Sequence, residues 1–205
     1  EAAALGLQLR DDQVAFRCNL VQVGDDGTMV DFAGGHPSTE DAAEVIRALD
    51  EALGRGAGGE VEFHPGVQYR HIVVAPARWA EADCLPPHDL TGHPAVLPRG
   101  PAAPELIALM DASRAIVGPS KLAANQVWLW GQGRRPNLPP FREVTGREGA
   151  LVTAVDLIRG LGVLTGLEIV EVPGATGWYD TDYEGKRDAA LRTLADGADV
   201  FLLHV

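Results

Sequence analysis

Cysteine is scarce in this chain. Two occur in 205 residues, Cys18 and Cys84, with no CxxC pair, which argues against a disulfide framework or a thiolate zinc site and suits a reducing, cytoplasmic setting. Long apolar runs are also missing: none approaches the roughly 20 residues of a membrane span, and no basic, apolar, small-residue series marks a secretory signal. Positive charge is in short supply, with 17 Lys and Arg against 29 Asp and Glu, a formal net charge of −12. That balance repels phosphate backbones and anionic headgroups, so no nucleic acid and no membrane partner is expected. Among short catalytic motifs, GxSxG, HExxH and the phosphate-binding GxxxxGKS or GxxxxGKT are absent. What remains, 46% hydrophobic and 22% charged residues, is the composition of a folded globular protein with room for one large domain or two small ones.

The hydrophobic pattern predicts an α/β protein whose two halves differ. Strand-like sequence from Gln13 to Val23, turn residues Gly24-Asp25-Asp26-Gly27 and a return over 28–32 form a hairpin. Ser38 or Thr39 caps a helix with Val45, Ile46, Leu49 and Leu53 on one face, stopped by Gly54. A glycine-rich connection over 54–59 leads to strands at 61–63 and 68–75, so the first half reads β-β-α-β-β. Six prolines stiffen a loop over 83–104, followed by a helix over 104–117 and a short helix over 120–124. Strands at 126–130, 150–153, 167–172 and 200–205, separated by helices at 154–161 and 184–195, predict parallel pairing with crossover connections. A mixed α+β lobe followed by part of an α/β sheet, with the boundary near 120–125, is therefore expected. The opening Glu1 and the closing apolar run Phe201-Leu202-Leu203-His204-Val205 suggest a piece of a longer protein.

Several residues invite a chemical reading. Alternation on the first strand sends Arg17 and Asn19 to one face, where they can meet one ligand. Arg70 and His71 lie in another apolar strand, and a forked guanidinium suits phosphate or carboxylate, the alternative being a surface ion pair. His88, Asp89 and His93 stand close in the proline-rich loop, but loop histidines without regular ligand spacing are the simpler reading. Gly131-Gln132-Gly133-Arg134-Arg135 follows a strand and runs into prolines, so it reads as a turn with a local anion contact rather than a dinucleotide loop.

The series Asp12-Gln13-Val14-Ala15-Phe16-Arg17-Cys18-Asn19, Tyr69-Arg70-His71, Pro87-His88-Asp89, Asn125-Gln126-Val127-Trp128-Leu129-Trp130-Gly131-Gln132-Gly133 and Val172-Pro173-Gly174-Ala175-Thr176-Gly177 resembles cofactor-independent phosphoglycerate mutase of the archaeal type. Two further blocks, Ala154 to Gly160 and Asp180 to Lys186, extend the likeness over nearly the whole chain. The resemblance implies an alkaline-phosphatase-like α/β core with a second lobe inserted into it. Residues 10–123 would be the inserted, substrate-gripping lobe and residues 124–205 the returning, incomplete part of the core.

It further implies a glycolytic and gluconeogenic isomerase that interconverts 3-phosphoglycerate and 2-phosphoglycerate through a phosphoserine, using two divalent ions (Mn, Mg or Zn) and no 2,3-bisphosphoglycerate. The serine and the metal ligands would lie outside these residues. By position, Arg17, Asn19, Arg70, His88 and Asp89 would contact the glycerate and Arg159 the phosphoryl oxygens, with His36, His71 and Arg134 as weaker candidates. Arg159 pairing with Asp156 is the structural alternative. A homoserine kinase-like phosphotransferase shares similar blocks and is the competing activity, and a binding lobe that is inert in isolation is the third reading.

Overall fold

The computed structural model describes all residues, Glu1–Val205, and they form two compact units: Leu9–Arg135, and Pro136–Val205 together with Glu1–Gln8.

In the first unit the central strand is β1 (Gln13–Val23). It returns through Gly24–Gly27 to β2 (Met29–Asp31), as the turn residues predict. Ser38 caps α1 (Thr39–Leu53), its hydroxyl accepting the Asp41 N–H at 3.1 Å. Strands β3 (Glu62–Val67) and β4 (Arg70–Pro76) form a second hairpin, and α2 spans Ala103–Val117. The unit ends with β5 (Gln126–Gly133), which pairs antiparallel with β1 on the edge opposite β4. The sheet order is β2-β1-β4-β3 with β5 also on β1.

Two expectations fail here. Residues 120–124 make bends, not a helix, because Ser120 turns back onto the Val117 carbonyl and Asn125 is tied to β1 through Val23. The strand starting at Gln126 belongs to this antiparallel sheet and not to the parallel one, since its ladder runs from Val21↔Gln126 to Ala15↔Gly133. The compact unit therefore closes at Arg135, not near residue 123.

Period-two alternation divides the β1 side chains. Phe16, Cys18 and Leu20 are fully buried and join Val73 and Ala75 of β4 and Val127 and Leu129 of β5. Ile46 and Leu49 of α1, with Leu106 and Met110 of α2, complete the same core. Each buried Val, Leu, Ile, Phe or Met side chain of this set is worth about 1.5–3 kcal/mol of burial. Arg17 and Asn19 alternate with this set, and Trp130 and Trp128 lie opposite them on β5. The proline-rich loop attaches beside them: the Trp128 indole donates to the Leu85 carbonyl at 2.9 Å, and Gln132 Nε2 donates to the Ala82 carbonyl.

The second unit is a parallel sheet of order β7-β6-β8, with β6 (Gly149–Val152), β7 (Glu168–Ile169) and β8 (Val200–Leu203). Helix α4 (Asp156–Thr165) joins β6 to β7 and α5 (Tyr183–Ala195) joins β7 to β8. The parallel pairing matches the sequence pattern; β7 is shorter than the expected 167–172 because only Ala150 and Leu151 pair with it. A five-residue helix, α3 (Phe141–Thr145), starts directly after Pro140, where the sequence suggested no helix. Pro140 is the N-cap residue, with φ −56° and ψ 138°, and its missing N–H forfeits nothing because the N–H groups at a helix start have no intrahelical partner.

Candidate functional site

Five of the expected side chains meet in the first unit, around aromatic rings rather than around one another. The Arg17 guanidinium lies over the Trp130 ring, 4.6 Å from its centroid. Trp130 donates its indole N–H to Asn19 Oδ1 at 3.0 Å, and Asn19 Nδ2 donates to the Phe32 carbonyl at 3.1 Å. Asn19 is 3% exposed, so its amide is committed to holding these groups. His88 stands edge-on to both Trp130 (5.2 Å) and Phe32 (6.1 Å). Phe32 meets Tyr69 (5.8 Å), and Tyr69 meets His36 (5.4 Å) and lies beneath the Arg70 guanidinium (5.4 Å). Asp89, beside His88, places Oδ1 3.6 Å from its Nε2.

Backbone chemistry explains how these groups arrive. Asn19 and Arg70 are register partners across β1 and β4, which brings the two arginines of neighbouring strands to adjacent positions. The Asp31 carboxylate accepts the N–H groups of Ala33 (2.8 Å) and Gly35 (2.6 Å), tightening a turn in which Gly34, Gly35 and His36 all have positive φ. For His36, φ is +51°, a left-handed conformation that costs a non-glycine residue about 1 kcal/mol or more and is commonest at functional sites. Gly34 is required because a Cβ there would sit 2.7 Å from the Leu20 carbonyl. His88 comes from a single 3-10 turn, Pro87–Leu90, set by two prolines.

The remaining candidates are elsewhere. His71 alternates with Arg70 and faces the core opposite Cys18, 2% exposed. Its Nδ1 accepts the Gly66 N–H at 3.0 Å, while Nε2 finds no partner. Burial lowers its pKa to about 3. His71 is thus a core residue, outside the set of side chains gathered on the rings. Arg134 donates to the Ala77 carbonyl at 3.1 Å, away from the cluster. Arg159, on α4 of the second unit, is paired with Glu171 and not hydrogen-bonded to Asp156. That pairing holds the Glu171 carboxyl below its usual range. Both line a cleft of about 190 Å³ at the carboxyl ends of the parallel strands, with Thr153 and Asp156. No group of three His, Cys, Asp or Glu side chains is placed to hold a metal ion, His88, Asp89 and His93 included. Trp130, Tyr69 and Phe32 were not among the expected site residues; the register of β1 and β5, which sets Trp130 opposite Arg17, is the signal that identifies the first of them.

An antiparallel lobe presenting arginines and histidines on aromatic rings, with a parallel α/β unit, defines a mixed α/β protein. The chain belongs to the 2,3-bisphosphoglycerate-independent phosphoglycerate mutase family, whose model matches residues 1–121. Its relatives of that name include proteins of Methanosarcina acetivorans (41% identity) and Methanothrix thermoacetophila (43%), each matched over 100% of this chain. The chain spans about half the length of these relatives, 54% and 53%. Among solved structures, the cofactor-independent phosphoglycerate mutase of Thermoplasma acidophilum superposes with a TM-score of 0.59 at 24% identity, covering 100% of this chain and 58% of the other. A Pyrococcus horikoshii protein superposes with a TM-score of 0.69 at 19% identity, covering 98% and 49%. These two likenesses speak to fold.

Proposed function

We propose that the protein carrying this chain interconverts 3-phosphoglycerate and 2-phosphoglycerate without a bisphosphorylated cofactor, and that the Arg17 cluster is the seat of the glycerate. The observation that carries this reading is the convergence of Arg17, Arg70, His36 and His88 on one continuous set of rings, in a family whose members bear the mutase name. Arg17 and Arg70 are fixed-charge forks suited to a carboxylate or a phosphoryl group, and the rings beneath them restrict their motion. Asn19 acts through Trp130 and Phe32 and does not itself need to touch the acid.

In this reading the phosphoryl group leaves one hydroxyl of the glycerate for a serine outside these residues, and the other hydroxyl then takes it back. The lobe's task is to hold the dephosphorylated acid while it turns. Two divalent ions would stabilise the transferring group, but the side chains of this chain do not form such a site; every step assigned here is one of binding and orientation. Arg159 would exchange Glu171 for phosphoryl oxygens, a purely electrostatic role because a guanidinium gives up no proton at neutral pH.

The test is an enolase-coupled assay of the whole protein with 3-phosphoglycerate and Mn²⁺ and no added bisphosphoglycerate. Turnover is expected. Silence from metal-loaded protein, with phosphorylation of homoserine by ATP, would replace the mutase reading with the kinase one.

A further inference from the structure

The contact between Arg17 and Trp130 is supported by an unusual amount of local structure. Along β1 the register advances two residues, Ala15 to Arg17, while along β5 it advances three, Gly133 to Trp130. The extra residue makes a β-bulge, a feature that re-aims side chains beside binding sites. Gly131, next to Trp130, takes φ +59°, and a Cβ on it would lie 3.3 Å from Arg17 Cδ. The ring turned by this bulge is held at its N–H edge by the buried Asn19, through the 3.0 Å indole bond.

We propose that Trp130, aimed by the Gly131 bulge and pinned by Asn19, is the positioning residue that preorganises the Arg17 guanidinium for its anionic ligand. This rests on the reading of the Arg17 cluster as the acid's seat. An arginine that is ordered before binding loses less side-chain freedom when a carboxylate or phosphoryl group arrives, and that saving appears as affinity. Trp130 itself need not touch the ligand.

A double-mutant cycle on the whole protein tests this, reading the dissociation constant for 3-phosphoglycerate by calorimetry. Trp130→Leu removes both the ring face and the indole donor, and Trp130→Phe removes only the donor. Affinity should fall about tenfold for Trp130→Leu and about two- to threefold for Trp130→Phe. In an Arg17→Ala background the same Trp130→Leu change should cost less than about twofold, because its effect passes through Arg17. Equal losses in both backgrounds would overturn the proposal. The second readout is the order parameter of the Arg17 Nε–H bond by NMR relaxation without ligand, expected to drop in Trp130→Leu. An unchanged value would also overturn it. If Arg17→Ala binds 3-phosphoglycerate as well as the parent does, the seat is misassigned, and the relaxation result then decides the positioning claim alone. Should Trp130→Leu fail to fold, Trp130→Phe carries both measurements.

Discussion

His71 and Arg70 are neighbours with opposite fates, and one residue of strand register decides between them. Arg70 stands exposed over Tyr69, whereas His71 is buried opposite Cys18 with its Nε2 unpartnered. The folded protein lowers the His71 pKa from 6.5 to about 3 by desolvation. The unfolded chain therefore binds more protons throughout that window, and stability is complete above pH 6.5 and lost as pH falls toward 3. Between pH 6.5 and 5 the loss should approach about 2 kcal/mol, and His71→Gln, which keeps an acceptor for Gly66, should lack this slope in urea unfolding. At this scale the sequence was informative for cations and poor for their supports. Arg17, Arg70, His36 and His88 could be picked out as charged or titratable groups, but that Trp130 and Tyr69 carry the arginines depends on cross-strand pairs that no local pattern encodes.

At the scale of elements, local signals worked where they competed with nothing. The Ser38 cap, the face of α1 and the stop at Gly54 were legible because capping chemistry and helical spacing agree. Ser38→Ala should lower the stability of the Leu9–Arg135 unit by about 1 kcal/mol, read as a lower urea midpoint with an unchanged slope. Signals failed where a long-range partner won. Asn125 gives its side chain to Val23 at both ends, N–H at 3.0 Å and carbonyl at 2.7 Å, and this bond to β1 across 102 residues overrides helix formation just before it. Gly131 was read as part of a turn with an anion contact, whereas it belongs to β5 and sets a bulge against Arg17.

For the whole molecule, the composition of each unit follows from which strands pair. The antiparallel unit holds five of the expected site side chains on its rings, and within the parallel unit Arg159 and Glu171 line a cleft. The fold class and the parallel order of β6, β7 and β8 were readable from the alternation of strands and helices; the end of the first unit was not, because β5 looks the same in sequence whichever sheet it joins. The central claim, that the aromatic-backed arginines of the first unit are the seat of the acid, is tested most directly by titrating 3-phosphoglycerate into the whole protein and its Arg17→Ala and Arg134→Ala variants. Arg17→Ala should bind at least about tenfold more weakly, the worth of one charged hydrogen bond. Arg134→Ala should bind as the parent does, since its guanidinium is engaged with the Ala77 carbonyl. Undiminished affinity in Arg17→Ala would contradict the account.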